Sequence, residues 1–259
     1  MQIKPRLTKQ MSQIPWRGLK FMKLPIALLS TALLFILVGC DTYITPGTKA
    51  DLAGMAPANL LGGFQSEPSN PFPASIVAVR VQGRNYSNYN LGKSGGVVAG
   101  GRYSVISTRE VEREQELEAL NNLPSVTGII SLNRLLLPDK VDTLEQLRES
   151  ASKLKGDLLF LYTFDTVFYD EDKARVLTTI SLGFSPNKKI TATTTASALL
   201  IDTRTGYIYS AYESTAQIEE STSLWGSRED VDKARLSTER EAFSNLVKKF
   251  VASWGSISS

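Results

Sequence analysis

Hydrophobic and polar positions divide the chain into an N-terminal apolar run, a stretch rich in proline and glycine, and a patterned remainder. The run from Leu24 to Val38 carries no charge and follows Lys4, Arg6, Lys9, Arg17, Lys20 and Lys23, the two-part layout of an export signal. It is too short to cross a bilayer comfortably, because a spanning helix takes about 20 apolar residues. From Asp41 to Ala74, Pro46, Pro57, Pro68, Pro71 and Pro73 prevent long regular elements, and this stretch is expected to be a flexible tether. Its apolar patch from Leu52 to Phe64 leaves a second possibility open, docking on the folded domain or on lipid.

Beyond Ala74 the pattern alternates between periods of two and of about 3.6. The β-branched run Ser75 to Val81 predicts a buried strand, and Tyr103 to Ser107 a second. Ser107 and Glu110 stand at capping-box spacing, which predicts a helix running to about Asn121. Ser125 to Leu132 returns as a strand. Asp142 with Glu145 predicts the start of another helix through Lys155, with Leu144, Leu147, Ala151 and Leu154 on one stripe and Gly156 as its stop. Asp157 to Phe168 is apolar on both faces in its first half, so it belongs in the middle of a covered sheet. Two further strands, Ala174 to Phe184 and Ile190 to Asp202, are joined by a turn at Ser185 to Lys189, and a turn at Thr203 to Gly206 leads into Tyr207 to Ile218. A last helix, about Arg228 to Trp254, offers Val231, Leu236, Phe243, Leu246, Val247, Phe250 and Val251 to that sheet. The order predicts an α+β fold: a mixed sheet with a C-terminal antiparallel meander and helices packed mainly on one face. The expected organisation is a signal peptide over residues 1–39, a lipidated N-terminus and tether over 40–74, and a single periplasmic domain over 75–259.

Charge changes the picture once the leader is set aside. The six basic residues before Cys40 leave 23 of 29, against 26 acidic, a formal charge of about −3 for the remainder. That balance argues against nucleic acid as a partner, since phosphate binding needs a basic surplus. With no histidine and one cysteine, triads of the Ser-His-Asp or Cys-His type and His or Cys metal centres are excluded, so neither a metal nor a cofactor is expected. The glycine-rich segment Gly92 to Gly101 fits neither phosphate-binding glycine pattern and is expected to be a loop. The acidic cluster Asp165, Asp170, Glu171 and Asp172 falls where a strand is expected to give way to a turn, a solvated arrangement that would also suit a hard cation or acid-base work. In Ile190 to Asp202, Thr191, Thr193, Thr195 and Ser197 share one face, and Ala192, Thr194, Ala196 and Ala198 the other, which suits a strand covered by the last helix. Turns displayed by a rigid sheet make Lys188, Lys189 and Arg204 the candidate protein-binding residues.

Leu37-Val38-Gly39-Cys40 resembles the lipobox of bacterial lipoproteins, which implies cleavage before Cys40 and a diacylglycerol on its thiol. Asp41 resembles the retention signal of enteric lipoproteins, which implies the periplasmic face of the inner membrane rather than the outer membrane. Gly156 to Phe168, Ser185 to Lys188, Ala198 to Gly206 and Glu239 to Phe243 resemble, in that order, segments of the rhombotarget lipoproteins of Gram-negative bacteria, over roughly Asp142 to Val251. More distantly, the arrangement is similar to a periplasmic α+β group that includes the curli-secretion and penicillin-binding-protein-activator lipoproteins. The resemblance implies protein contacts rather than catalysis. The expectation is a non-enzymatic, lipid-anchored cell-envelope protein acting as a scaffold, assembly factor or activator, with the membrane and envelope proteins as partners. The alternatives are an oligomeric secretion-channel subunit and a carboxylate-dependent envelope hydrolase.

Overall fold

The computed structural model describes residues 49–55, 66–84, 86–91, 97–98, 100–172, 188–222 and 228–258. The expected signal peptide, Cys40, Asp41, the expected strand Ala174 to Phe184 and most of the glycine-rich segment lie outside these residues. Strand β1 (Ala74–Gly83) is the spine of a seven-stranded mixed sheet. Along one edge, β4 (Val126–Ser131) pairs parallel with its first half and β3 (Tyr103–Ile106) antiparallel with its second, and β2 (Val97–Val98) extends β3. On the other side β5 (Leu158–Asp172) runs parallel to it, and β6 (Lys188–Asp202) and β7 (Ile208–Thr222) complete an antiparallel meander. Each meander strand has 15 residues, about 50 Å of extended chain.

Among the described residues the α-helices are α1 (Leu52–Met55), α2 (Glu114–Asn121), α3 (Leu144–Lys153) and α4 (Arg228–Ser253). Side chains alternate across the sheet, so β1 and β5 feed two apolar layers. Ile76, Leu158, Phe160 and Phe164 pack with Leu120 of α2 and Phe243, Leu246, Phe250 and Trp254 of the α4 end. Val77, Val79, Leu159 and Leu161 pack with Leu144, Leu147 and Ala151 of α3. The double burial explains why the first half of β5 is apolar on both faces. The α+β architecture with its C-terminal meander is as expected; α2 and α4 share one face, and α3 takes the other. Small residues in β6 serve this packing: Ala192, Thr194, Ala196 and Ala198 are buried on the α4 side.

Four expectations are corrected by the packing. The stretch expected to be a tether is partly built into the fold: Ala50 and Met55 are buried with the α3 layer, and Ser69 N–H and Oγ donate to Asp202 at 2.8 and 2.6 Å. Phe72 stacks edge-on against Trp254, with ring centroids 5.8 Å apart. The helix expected from Ser107 starts at Glu114, where Glu116 accepts from the Arg113 backbone N–H at 3.2 Å, because Glu110 is drawn into the interior instead. The cap of α3 is Thr143 with Gln146, one position later than expected. At its end Lys155 takes the left-handed backbone conformation (φ 56°) and Gly156 answers a different need, since a Cβ there would stand 2.3 Å from Val77 Cγ2.

Candidate functional site

Arg80 stands in β1 between Val79 and Val81, buried on all sides. An isolated charge there would be prohibitively costly, so the fold surrounds it with acceptors. Its Nη2 donates to Glu239 Oε2 at 3.1 Å and to the Tyr86 hydroxyl at 3.0 Å, and its Nη1 to Glu110 Oε1 at 3.3 Å. The guanidinium also lies 4.7 Å from the Phe164 ring centroid. Arg235 of α4 completes the cluster, donating to Glu239 Oε2 at 2.6 Å and Asp232 Oδ1 at 2.7 Å. Asn88 holds Glu110 at 2.8 Å, and Thr166 holds the second Glu239 oxygen at 3.2 Å. The first half of α4 thus buries charge where its second half buries aromatic rings.

Electrostatics follow from that burial. Desolvation pushes the Glu239 carboxyl above the usual carboxylate range, against the pull of Arg80 and Arg235. For Glu110, less enclosed, desolvation is outweighed by Arg235 and Arg80, and its pKa is lowered. Burial opposes the charge on Arg80 and Arg235, but the surrounding carboxylates and Tyr86 outweigh it and hold both protonated. With its carboxylates bound by these donors, the cluster locks α4, the 86–91 segment and residue 110 onto the sheet; it is a structural support. Sequence reading missed it by assigning Glu110 to a cap and Glu239 to an amphipathic helix. The available signal was a lone arginine inside a run of buried valines.

The three candidate binding residues do not share a surface. Arg204 Nη2 donates to Asp157 Oδ1 at 2.7 Å, and its carbonyl accepts from Arg148 Nη2 at 2.5 Å. Asp202 Oδ1 accepts from the N–H groups of Arg204 and Thr205 at 2.9 and 3.1 Å, and Gly206 closes the turn at φ 78°. The turn is a staple between β6, α3 and the 66–73 segment. Lys188 and Lys189 lie inside β6 rather than in a turn, paired in register with Asp172 and Glu171, at the end of the strand opposite to Arg204 and about 45 Å away along it. The acidic stretch is likewise strand, since β5 runs on through Asp172. Asp165 forms an ion pair with Lys49 at 3.7 Å.

What the structure does bring together is the face of the meander turned away from α4. Register places Tyr169, Thr191 and Glu219 in one row, Val167, Thr193 and Gln217 in the next, and Asp165, Thr195 and Thr215 in a third. The Thr195 and Thr215 hydroxyl oxygens lie 3.0 Å apart in a hydrogen bond. Val167 and Tyr169 are exposed beside them. Along the rim runs β7, which pairs with β6 and has no second strand partner among the described residues. Lys249 of α4 donates to the Glu213 main-chain oxygen at 2.8 Å, so that carbonyl, and the backbone groups of Thr215 and Gln217 in the same alternating set, turn toward the outer edge. Two depressions elsewhere, about 200 Å³ between α2 and β4 and about 240 Å³ beside α3, are smaller than the roughly 300–1,000 Å³ of small-molecule clefts. Among the described residues no group of three or more Asp, Glu, His or Cys side chains is arranged to hold a metal ion. No family model matches the chain, and no curated protein is similar to it.

Proposed function

We propose that this is a lipid-anchored cell-envelope protein that acts by binding other proteins, as a scaffold, assembly factor or activator, and that the outer edge of β7 with the adjoining threonine face is its contact surface. The observation that carries the proposal is that edge: 15 residues of strand, open along one side among the described residues, beside a threonine-rich face. An unpaired edge presents a row of N–H and C=O groups to which an extended segment of a partner adds as a further strand. Lys249 on the Glu213 carbonyl is the kind of device that keeps such an edge from pairing indiscriminately. The lipobox-like Leu37 to Cys40, and the resemblance to rhombotarget lipoproteins, support the anchor and the Gram-negative envelope, with the periplasmic side of the inner membrane favoured by Asp41. The test is Thr215→Pro, which removes an edge donor at a position where proline is compatible with a strand. The variant should remain folded and lose the partners crosslinked to wild type in intact cells. An unchanged partner set, with hydrolysis of glycan or peptide by the purified protein, would replace this reading with an enzymatic one.

A further inference from the structure

We propose that the turn at Asn133 to Pro138 is a membrane-contact element, and that Leu135 enters the lipid surface to which the chain is anchored. The inference rests on the lipid-anchor reading and goes beyond it, by assigning the part of the domain that meets the lipid. Leu135 is 86% exposed, the highest value for any large apolar residue described. It is also rigidly displayed: residues Arg134–Leu136 form a 3-10 turn, Asn133 Oδ1 accepts from the Leu135 N–H at 2.9 Å, and Leu136 and Leu137 are rooted in the α3 layer. Ile130, 39% exposed, lies on the same side of the sheet, since its register partner Val77 belongs to that layer. Asn133, Arg134, Asp139 and Lys140 are exposed around it, a polar rim suited to headgroups.

The covalent chain supplies the reason that lipid is the occupant. If residues 40–74 were all tether, the domain would stand up to about 115 Å from the lipidated cysteine. Docking of Lys49 and Ala50 on the fold leaves nine residue steps from Cys40, a reach of at most about 31 Å. The docked segment sits on the face that carries the turn. Lys49 bridges Gln82, the Tyr103 hydroxyl donates to the Asp51 carbonyl at 3.3 Å, and Tyr103 bridges Val141, shortly after the turn. Leu52 and Leu137 pack on the same apolar layer. An anchor this short, leaving from the layer in which the turn is rooted, keeps the turn within reach of the bilayer.

The single cysteine makes the test direct, because a lipidated Cys40 has no free thiol. Full-length Leu135→Cys, purified from cells as the lipidated protein, is labelled with an environment-sensitive NBD dye and reconstituted in vesicles of phosphatidylethanolamine and phosphatidylglycerol. Lys248→Cys on α4, across the sheet, is the control. The dye at position 135 should emit bluer and brighter than at 248 and be quenched by spin labels on the acyl chains. Emission at 135 that stays water-like while the protein remains vesicle-bound overturns the proposal. So does a blue shift that follows protein density without acyl-chain quenching, which would assign the tip to a second copy. Wild-type protein whose Cys40 takes up the dye overturns the anchor reading itself and the orientation with it, an outcome distinct from the other two.

Discussion

Arg80 in the middle of β1 and Glu239 in the middle of α4, 159 residues apart in sequence, meet at 3.1 Å with each side chain 1% exposed. Removing one member leaves the other charged and enclosed, which is far more damaging than the modest net worth of an intact buried pair. Arg80→Met and Glu239→Gln are each expected to lose about 3–5 kcal/mol in denaturant unfolding. The double variant should lose less than the sum of the two. Additivity within about 0.5 kcal/mol would show that the two side chains do not act as a pair.

Gly156 and Val77 make a second, steric relationship. Gly156→Ala places a Cβ 2.3 Å from Val77 Cγ2, and the expected loss is about 1–3 kcal/mol through overpacking. Val77→Ala should cost stability alone yet relieve part of the Gly156→Ala defect. A full, additive loss in the double variant would place the strain elsewhere.

Asp202 gives a pH dependence. Desolvation raises its pKa, but the Ser69, Thr205 and Arg204 donors outweigh it, so the folded value lies below the ordinary 3.8. A depressed carboxylate contributes stability above its unfolded pKa and loses it as pH falls through the folded one. Asp202→Asn should therefore cost roughly 1–3 kcal/mol at neutral pH. The gap to wild type should narrow as pH falls below about 3.8. Equal gaps at both ends of a pH series of unfolding curves would contradict the assignment.

The N-terminal segments should matter to stability. A protein starting at Tyr43 keeps the Ala50, Met55, Ser69 and Phe72 contacts, whereas one starting at Ser75 loses them all. The shorter form should unfold at a clearly lower denaturant concentration, with Trp254 more accessible to fluorescence quenchers. Matching unfolding curves would return residues 49–73 to the role of a tether.

The elements with strong periodicity were readable from the chain alone. Leu159 and Phe243 are core residues as their patterns require, and α4 and the starts of β5, β6 and β7 fall within two residues of expectation, but β5 pairs directly with β6, where the chain order calls for the strand Ala174 to Phe184 to come between them. What escaped depends on contacts distant in sequence. Glu110 has a local use, as a capping partner of Ser107, and a tertiary one, facing Arg80 and Arg235; the tertiary one wins because two guanidiniums are buried there. Arg204 and Lys188 looked alike as turn residues, but the pairing register, which no local pattern reveals, separates them by the length of β6. The docking of Ala50 was invisible because a small residue among prolines carries no period; it shows in the tertiary structure, where Lys49 bridges Gln82 and Thr163 Oγ1 accepts from the Ala50 N–H at 2.9 Å.

The central claim, that the protein acts through the open edge of β7, is tested most directly by a photo-crosslinking amino acid placed at Gln217 in the full-length protein in living cells, with Lys248 on α4 as the comparison site. The expected result is a discrete protein adduct at 217 that is absent at 248 and disappears when Thr215→Pro is added to a chain that still folds. Identical adduct patterns at the two sites, or an adduct at 217 that survives Thr215→Pro, would contradict it.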